Sequence, residues 1–362
     1  MPETGRRLIA IDGERVELEN FEIPDPGPDQ ILVRTHISQV SGGTEIVGLL
    51  KDSNRGPQWS NLQPEHYGLR PGKMRRPLGY TAVGHVISTG ANINEFNPGD
   101  RVLTSCSHST HGLIGKPHDP SSEKFAQHIP IESSTAHHVE FDITDQQAAF
   151  AGPLGYVALH GVRRAELQIG ESVAVVGQGV VGQMVTAYCR RSGAYPVIAV
   201  DIDDDRLKLS NLSGATHTIN SSKQDPVKEI RNLTGDGAES IFFVTRIPEP
   251  IVDCINAAAV RGKIIIVGAA PGAVEIELVT PMHRELDIRA VFDGGSNEDP
   301  HPYMPWVHSR NYSTVMGMIS RGDLQTDHLI SHVAKPEEAN EIYQKMLSGP
   351  TGWMSVFFDW ND

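Results

Sequence analysis

The sequence predicts an α/β protein in which a β-rich region is followed by a parallel, helix-covered sheet. Up to residue 150, short β-branched runs alternate with Gly, Pro and Asn, which is typical of irregular β structure. From residue 171 onward, apolar strands alternate with segments of helical periodicity, which is typical of a doubly wound sheet. The length of 362 residues suffices for two domains. We therefore expect a domain boundary close to residue 150.

Composition narrows the classes of function. Lys and Arg total 31 and Asp and Glu total 45, which gives a net charge of −14 without any basic run. Neither nucleic acid nor an anionic membrane is therefore an expected partner. No apolar run approaches the roughly 18 residues that cross a bilayer, and the first residues lack the apolar segment of a signal peptide, so we expect a cytoplasmic protein. The three cysteines, Cys106, Cys189 and Cys254, are too widely spaced for a metal clip and are expected to be buried thiols.

The β-rich region contains four predicted strands, at 30–38, 80–88, 101–105 and 125–131. The Asn-Pro-Gly-Asp turn at 97–100 precedes the third strand and combines the fixed φ of proline with a residue that tolerates positive φ. The stretches 51–77 and 107–124 lack strand patterning and are predicted to be long functional loops.

The second region begins with a βαβ unit, formed by a strand at 172–177, a helix at 180–191 and a strand at 196–201. Further helices are predicted at 203–212, 225–233, 248–259, 312–320 and 336–347, and further strands at 240–244, 263–267 and 353–358. The strands of the βαβ unit are almost continuously apolar. They are therefore expected to lie in a parallel sheet with both faces covered by helices.

A glycine-rich turn joins the first strand of the βαβ unit to its helix. The turn reads Gly177-Gln178-Gly179-Val180-Val181-Gly182, a GxGxxG pattern in the strand-to-helix context that makes it specific. Gly177 permits the tight turn, Gly179 lets the main chain approach a pyrophosphate, and Gly182 lets the helix pack closely on the strand. The residues 177–182, including Val180 and Val181 at the helix N-terminus, are therefore predicted to bind a dinucleotide.

An acidic residue at the end of the next strand favours NAD as the cofactor. Asp201 stands nineteen residues after Gly182, where a carboxylate binds the ribose hydroxyls and repels a 2′-phosphate. Arg206 is predicted either to cover the adenine or to lie on a solvated helix face. We therefore expect NAD, although Arg206 could offset the repulsion of NADP.

Two further strands end at the same edge of the predicted sheet. Thr245 and Arg246 follow the strand at 240–244, and Gly268 and Ala269 follow the strand at 263–267. Ligands of doubly wound sheets bind at the carboxyl ends of the strands. All four residues are therefore predicted to contact the cofactor or the substrate.

Several motifs occur in an order that resembles the medium-chain dehydrogenase/reductase superfamily. They are Pro-Gly-Asp-Arg-Val at 98–102, Phe-Ala at 125–126, Gly-Pro-Leu at 152–154, the glycine-rich turn at 177–182 and Arg-Gly-Lys at 261–263. The resemblance implies a GroES-like catalytic domain over residues 1–150, completed by 296–362, and a Rossmann NAD-binding domain over 151–295. It also implies a homodimer or homotetramer.

The zinc-dependent members of this superfamily carry ligands in three motifs, and this sequence departs from all three. Gly42 stands where the resemblance places a cysteine, Tyr80 where it places a histidine, and Gly152 where it places a cysteine or glutamate. Glycine has no donor atom, so the usual tetrahedral site is not expected to form. Three histidines, at positions 108, 111 and 118, are an alternative metal site, although solvated or substrate-facing roles fit that loop as well.

Without zinc, protein hydroxyl groups must take the alcohol proton and stabilise the alkoxide. Tyr80 replaces the lost histidine, and Tyr156 follows the third lost ligand at a position that the resemblance places beside the nicotinamide. Thr44 matches the hydroxyl that relays a proton in the family. A tyrosine that fills core volume and a threonine that stabilises a turn are the alternatives for Tyr80 and Thr44. Glu45 and His160 are expected to be structural.

Polar and aromatic groups in two predicted loops suit a hydroxylated substrate such as a sugar or cyclitol. His66 and Arg75 come from the earlier loop, and Asp293 and Trp306 come from the later one. We predict that these four side chains contact the substrate. A solvated charged surface is the simpler interpretation of the arginine.

Together these features predict a zinc-independent, NAD-dependent oxidoreductase that interconverts a secondary alcohol and a ketone on a polar substrate. Three alternatives stay open. A tightly bound NAD could oxidise the substrate transiently to allow elimination or epimerisation. A quinone- or enoyl-type reductase would also lack zinc, although such enzymes generally use NADPH. Finally, the chain could be a non-catalytic NAD(H)-binding regulator.

Overall fold

The structure is a computed structural model that describes residues 3–11, 15–49, 75–115, 135–268, 270, 272–292, 305–349 and 352–361. Several predicted features lie outside these residues, namely the strand at 125–131, the loop residue His66, and His118, Ala269 and Asp293. The chain divides into two compact units, Met1–Gly152 with Ile330–Asp362, and Pro153–Leu329.

The elements are numbered along the chain. The strands are β1 (Thr4–Ile11), β2 (Arg15–Glu22), β3 (Gln30–Gln39), β4 (Arg75–Pro77), β5 (Ala82–Thr89), β6 (Arg101–Thr104), β7 (His111–Gly115), β8 (Ala136–His138), β9 (Val173–Val176), β10 (Val197–Asp201), β11 (His217–Asn220), β12 (Ala238–Phe243), β13 (Ala258–Ile266), β14 (Asp287–Ala290), β15 (Ile330–Ala334) and β16 (Ser355–Asp359). The helices are α1 (Gly42–Leu49), α2 (Asp145–Ala149), α3 (Pro153–Ala165), α4 (Val180–Arg191), α5 (Asp204–Leu212), α6 (Pro226–Thr234), α7 (Pro250–Ala257), α8 (Val279–His283), α9 (His308–Ser320) and α10 (Ala339–Ser348).

The first unit is built from two sheets. A three-stranded sheet has the order β2-β1-β4, and a seven-stranded sheet has the order β15-β16-β3-β5-β6-β8, with β7 paired to β3. The neighbours in this unit are antiparallel except β15 and β16. Its core includes Leu8, Tyr343, Phe358 and Trp360, each at most 1% exposed. This rigid frame holds the segment that joins β3 to α1.

The second unit is a six-stranded parallel sheet in the order β11-β10-β9-β12-β13-β14. All residues of β9 and β10 are buried, as their continuous apolar sequence predicts. The chain runs from β9 outward to β11 and then returns to β12 on the other side of β9. The predicted α/β class with a doubly wound sheet is confirmed, and its topological switch lies between β9 and β12.

The second boundary between the units differs from the expected one. Residues 296–362 were expected to complete the first domain, but the chain returns to the first unit only at Ile330. The reason is that β15 pairs with β16 in the seven-stranded sheet, whereas α9 packs on α3 in the second unit. The sequence pattern of α9 shows a buried face but not the helix it packs against.

The three cysteines are free and buried, as predicted. Burial raises the pKa of Cys106 to about 11, and it raises those of Cys189 and Cys254 further. These thiols are therefore protonated at neutral pH. Among the helices that the structure describes, none has the length and apolar character needed to cross a membrane.

Candidate functional site

The glycine-rich turn connects β9 to α4 with a geometry that two of its glycines make possible. Gly177 has a φ of +97°, a left-handed conformation that other residues rarely adopt. A Cβ at position 182 would lie 1.8 Å from the carbonyl oxygen of Gly177, so only glycine lets the helix approach the strand this closely. In contrast, a Cβ at Gly179 would meet no atom within 4 Å. The turn is therefore packed on the side of Gly182 and open at Gly179.

The open side of this turn coincides with the N-terminus of α4. Gly179 is the N-cap of this 12-residue helix, and no side chain caps its N–H groups. The first turn contains Val180 and Val181, whose backbone N–H groups have no acceptor within the helix. Free N–H groups and the positive end of the helix dipole favour an anion such as a pyrophosphate. These residues therefore fit the dinucleotide that the sequence predicts.

Asp201, the last residue of β10, is hydrogen-bonded to the turn. Its Oδ2 accepts a hydrogen bond of 2.6 Å from the backbone N–H of Gln178, and its Oδ1 accepts bonds of 2.8 and 3.0 Å from the N–H groups of Ile202 and Asp203. A carboxylate has about four lone-pair positions, so one remains for another donor. Asp201 therefore holds the turn in place, a role that sequence analysis did not identify.

Two other predicted cofactor residues lie against the glycine-rich turn. A Cβ at Gly177 would lie 2.8 Å from the carbonyl oxygen of Val244, and a Cβ at Gly268 would lie 2.4 Å from that of Thr245. The structure thus brings Gly177, Thr245 and Gly268 together at the carboxyl edge of the sheet. Arg246 is exposed beyond this edge. Arg206 is half-buried on α5, and its contact with a cofactor stays a prediction.

In the first unit, three hydroxyl groups form a cluster. The Tyr80 hydroxyl donates to Ser41 Oγ and lies 3.2 Å from Thr44 Oγ1. Ser41 ends the segment after β3, and its carbonyl accepts the N–H groups of Thr44 and Glu45 in the first turn of α1. Tyr80 is half-buried and Thr44 is exposed, so the cluster reaches the surface of this unit. We call Ser41, Thr44 and Tyr80 the hydroxyl cluster.

Sequence analysis named two members of the cluster and missed Ser41. The signal that could have found it is its position directly before Gly42, the residue that replaces a cysteine in the resemblance. A serine hydroxyl there is next in the chain to the lost ligand.

A buried carboxylate fixes the backbone under the hydroxyl cluster. Glu45 Oε1 accepts a hydrogen bond of 2.7 Å from the Ser41 N–H, and its Oε2 accepts from the Tyr343 hydroxyl. The same Oε2 lies 3.0 Å from His108 Nε2. Glu45 is only 3% exposed and His108 is fully buried. Glu45 is thus held by three donors, which agrees with its predicted structural role.

The other side of His108 continues the hydrogen-bond chain. Its Nδ1 lies 2.7 Å from Ser38 Oγ, which accepts a bond of 2.8 Å from Trp360 Nε1. The carboxylate Oε2 of Glu45 can accept from Nε2–H of His108, and the Ser38 hydroxyl, whose oxygen accepts from Trp360, can donate to Nδ1. His108 therefore bridges Ser38 and Glu45 and supports the frame beneath the cluster.

The described residues do not provide the donor set of the family's zinc site. Gly42 and Gly152 offer no ligand atom, and the Tyr80 phenol is bound to two hydroxyls. Within the described ranges, no three or more His, Cys, Asp or Glu side chains are grouped so that they could hold a metal ion. His108 is engaged with Ser38 and Glu45, and His111 Nδ1 lies 3.0 Å from Thr110 Oγ1. The donors present therefore do not fit that site.

Tyr156 lies on α3 and is completely buried in the second unit. Its ring packs against those of His308, Tyr312 and His160, with centroid distances of 4.9, 5.9 and 6.0 Å. The ring is therefore enclosed by side chains of its own unit. Its position beside the nicotinamide stays a prediction.

The two described substrate candidates have protein partners. Arg75 on β4 is exposed, and its guanidinium pairs with Glu19 and lies 3.9 Å from Glu17. Trp306 lies under the guanidinium groups of Arg163 and Arg310. Contact of Arg75 or Trp306 with a substrate stays a prediction.

His160 makes the stability of the protein dependent on pH. Burial, assisted by the charges of Arg164, Arg163 and His308, lowers the pKa of His160 from 6.5 to about 4. The unfolded chain therefore binds a proton below about pH 6.5 that the folded chain does not bind until about pH 4. Stability is lost as the pH falls through this window, by about 2 kcal/mol between pH 7.5 and 5.

We expect His160→Gln to remove this part of the pH dependence. Urea unfolding at pH 7.5 and 5 should show a smaller loss of unfolding free energy for the variant than for the unmodified protein. The quantity compared is the difference between the two pH values, so a general loss of stability in the variant does not affect it. Equal pH dependence in both proteins would contradict the buried, neutral state of His160.

Known proteins resemble this chain in sequence and in fold. Residues 180–309 match the sequence family described as "Zinc-binding dehydrogenase". The chain is 23% identical to a sorbitol dehydrogenase of Bacillus subtilis over 96% of its own length and 95% of that protein. An Escherichia coli oxidoreductase/dehydrogenase of unknown specificity has the same fold, with a TM-score of 0.78, 18% identity and 99% of both chains covered. A Sinorhizobium meliloti protein assigned as a zinc-binding dehydrogenase and bound to NADP gives a TM-score of 0.76, with 22% identity and 99% of both chains covered.

The fold and the glycine-rich turn resemble those of dinucleotide-dependent dehydrogenases. The matches support the resemblance to the zinc-type, alcohol dehydrogenase-like branch of the medium-chain dehydrogenase/reductase superfamily. A nicotinamide dinucleotide is the cofactor consistent with this family.

Proposed function

We propose that this protein is an NAD-dependent oxidoreductase that interconverts a secondary alcohol and a ketone on a polar, sugar- or cyclitol-like substrate without catalytic zinc. The observation that carries this proposal is the hydroxyl cluster. Tyr80 stands where the resemblance places a zinc ligand, Thr44 stands where it places a proton relay, and Ser41 directly precedes the position of another lost ligand. The glycine-rich turn in the second unit supports the dinucleotide part of the proposal.

The chemistry requires two groups to leave the alcohol, a hydride from carbon and a proton from oxygen. The nicotinamide supplies the hydride acceptor when it is bound. Tyr80 first loses its own phenolic proton to solvent through the exposed Thr44 hydroxyl, and the phenolate then takes the proton of the substrate hydroxyl. The phenol that forms and the Thr44 hydroxyl donate hydrogen bonds to the substrate oxygen as negative charge develops. In the resting state, Ser41 Oγ accepts a hydrogen bond from the Tyr80 hydroxyl and thereby orients the phenol. In the reverse direction the same groups return the proton to the ketone oxygen.

Cofactor reduction and metal content test the proposal together. Purified protein is incubated with NAD and a panel of polyols and cyclitols, and the absorbance of the reduced nicotinamide is followed. Zinc is measured in the same sample by mass spectrometry. We expect turnover on at least one substrate without stoichiometric zinc. One tightly bound zinc per chain whose removal abolishes activity would overturn the zinc-free mechanism.

The preference for NAD over NADP is expected to depend on Asp201. Asp201→Asn removes the negative charge that repels a 2′-phosphate, so the ratio of kcat/KM for NAD to that for NADP should fall about tenfold or more. Because Asp201 also holds the glycine-rich turn, both constants can fall, and their ratio is the informative quantity. Asp205→Asn is the matched control, since its exposed carboxylate pairs with Lys208 on the surface of α5. An unchanged ratio in Asp201→Asn would contradict the assignment.

We also propose that the chain forms a homo-oligomer through the second unit. Large apolar side chains are exposed around β14, the edge strand of its sheet. They include Leu278, Met282, Ile288 and Phe292, which are 75, 63, 49 and 64% exposed. Apolar surface beside an unpaired strand edge supports self-association.

A further inference from the structure

The contact between α3 and α9 concentrates positive charge around one indole ring. Arg163 comes from the last turn of α3, and Arg310 comes from the first turn of α9. Their guanidinium carbons lie 3.7 and 4.1 Å from the centroid of the Trp306 ring. We call these three residues the Arg-Trp-Arg cluster.

The two guanidinium groups of the cluster repel each other. Burial and the charge of Arg310 lower the pKa of Arg163 to about 10. Arg310 also lies at a helix N-terminus, where the helix dipole disfavours a cation. Within the part of the chain that the structure describes, neither arginine pairs with a carboxylate. The Trp306 ring stabilises both cations through its π face, but it supplies no negative charge.

Three buried polar atoms at the same helix contact lack a hydrogen-bond partner among the described residues. They are Arg163 Nη1 and His160 Nδ1 on α3, and Asn311 Oδ1 on α9. His160 is 4% exposed and Asn311 is fully buried. Folded proteins satisfy nearly all buried polar groups, so these atoms indicate a missing polar partner. Arg163 Nη1 is a donor that an anion can satisfy, and His160 Nδ1 is one when it carries the imidazole proton, whereas Asn311 Oδ1 only accepts and takes no part in anion binding.

The start of α9 adds further donors. The N-cap of this 13-residue helix is Val307, whose side chain cannot accept a hydrogen bond, so no side chain caps the first turn. Asn311 is in the next turn, and its Nδ2 lies 3.4 Å from the carbonyl of Trp306. The backbone N–H groups of Ser309 and Arg310 in the first turn have no acceptor within the helix and lie beside the cluster.

We propose that the Arg-Trp-Arg cluster binds a small oxyanion, a phosphate or carboxylate group, at the contact of α3 and α9. An anion there neutralises the repulsion between Arg163 and Arg310 and accepts the unpaired guanidinium N–H. The neutral ring of His160 adds one donor to such a ligand when its proton is on Nδ1. The site is distinct from the glycine-rich turn at 177–182 and does not depend on the proposed redox function.

Anion titration of the full chain tests this site with a matched pair of variants. Arg163→Gln removes the buried guanidinium, and Arg164→Gln removes the same charge from the exposed neighbouring position. Binding of inorganic phosphate and of acetate is measured by calorimetry, with sodium chloride at equal ionic strength as the blank. We expect the unmodified protein and Arg164→Gln to bind at least one of the two anions with equal affinity. Arg163→Gln should bind it at least tenfold more weakly.

The two anions distinguish the class of ligand. Binding of phosphate alone indicates a phosphorylated ligand, and binding of acetate indicates a carboxylate. Anions that bind only at the glycine-rich turn would give equal affinities in all three proteins, because both variants leave that turn unchanged. That result, or the absence of binding in the unmodified protein, would overturn the proposal.

A stability measurement covers the case in which Arg163→Gln folds poorly. Without phosphate, the variant is expected to be at least as stable as the unmodified protein, because it relieves the repulsion between the arginines. If it does not fold, Arg310→Gln replaces it, since this exposed residue contributes the other guanidinium. Arg310→Gln should show the same tenfold loss of anion affinity, and unchanged affinity would overturn the proposal.

Discussion

Replacing Tyr80 by phenylalanine is expected to lower kcat for alcohol oxidation by about 10²-fold or more and to leave dinucleotide affinity nearly unchanged. The substitution removes one oxygen atom and keeps the ring. The proton acceptor and one hydrogen bond to the developing alkoxide are lost together, whereas the glycine-rich turn that we propose binds the dinucleotide lies in the other unit. Steady-state kinetics and a separate measurement of NAD binding check the two parts of this result.

Tyr195→Phe is the matched control, because Tyr195 is 59% exposed and follows α4 outside the hydroxyl cluster. It should change neither kcat nor NAD affinity. The pH profile adds a second readout, since the loss of a general base alters the pH dependence of kcat and the loss of packing does not. If Tyr80→Phe turns over at the rate of the unmodified enzyme, Tyr80 only fills the volume of the absent ligand.

Local signals explain which parts of the fold could be predicted from the sequence. The unit formed by β9, α4 and β10 combines continuous apolar strands with a glycine-rich turn, and all of these signals lie within about thirty consecutive residues. The contacts within this βαβ unit join residues that are close in the chain, so the sequence pattern predicts the structure correctly. In contrast, β1 and β2 were not identified, although the alternation of Val16, Glu17, Leu18 and Glu19 in β2 is typical of a half-buried strand.

The candidate site was predicted only where the resemblance supplied a position. Tyr80 and Thr44 were identified in this way, although they are 36 residues apart. The hydrogen bonds that support them from beneath were not predicted, because His108 and Glu45 are 63 residues apart and Tyr343 is 298 residues from Glu45. No local pattern encodes such a contact. From the sequence, His108 in its Ser- and Pro-rich stretch is expected to be solvated, whereas in the structure it is fully buried.

The buried position of Tyr156 illustrates the same limit. The sequence analysis predicted no helix over 153–165, and the partners of Tyr156, which are His308 and Tyr312, come from α9, about 150 residues later. Sequence analysis assigned α9 to the other domain. The burial of Tyr156 therefore could not be foreseen from α3 alone.

Two glycines of the same turn are expected to respond to alanine in opposite ways. At Gly182 the new Cβ would lie 1.8 Å from the carbonyl oxygen of Gly177, so α4 must shift from the strand. We expect Gly182→Ala to reduce the free energy of unfolding by about 3 kcal/mol or more. At Gly179 the new Cβ meets no atom within 4 Å, and the φ of −70° suits alanine. We expect Gly179→Ala to fold with unchanged stability.

Gly179→Ala should nevertheless weaken NAD binding about tenfold or more, because the methyl group occupies the open side of the turn that the pyrophosphate would approach. Gly349→Ala is the control, since a Cβ there also meets no atom within 4 Å and the position lies in the first unit. Thermal unfolding and NAD titration of the three variants separate folding from binding. A Gly179→Ala protein that binds NAD as tightly as the unmodified chain would mean that the dinucleotide does not lie on the open side of the turn. The helix N-terminus would then need another ligand.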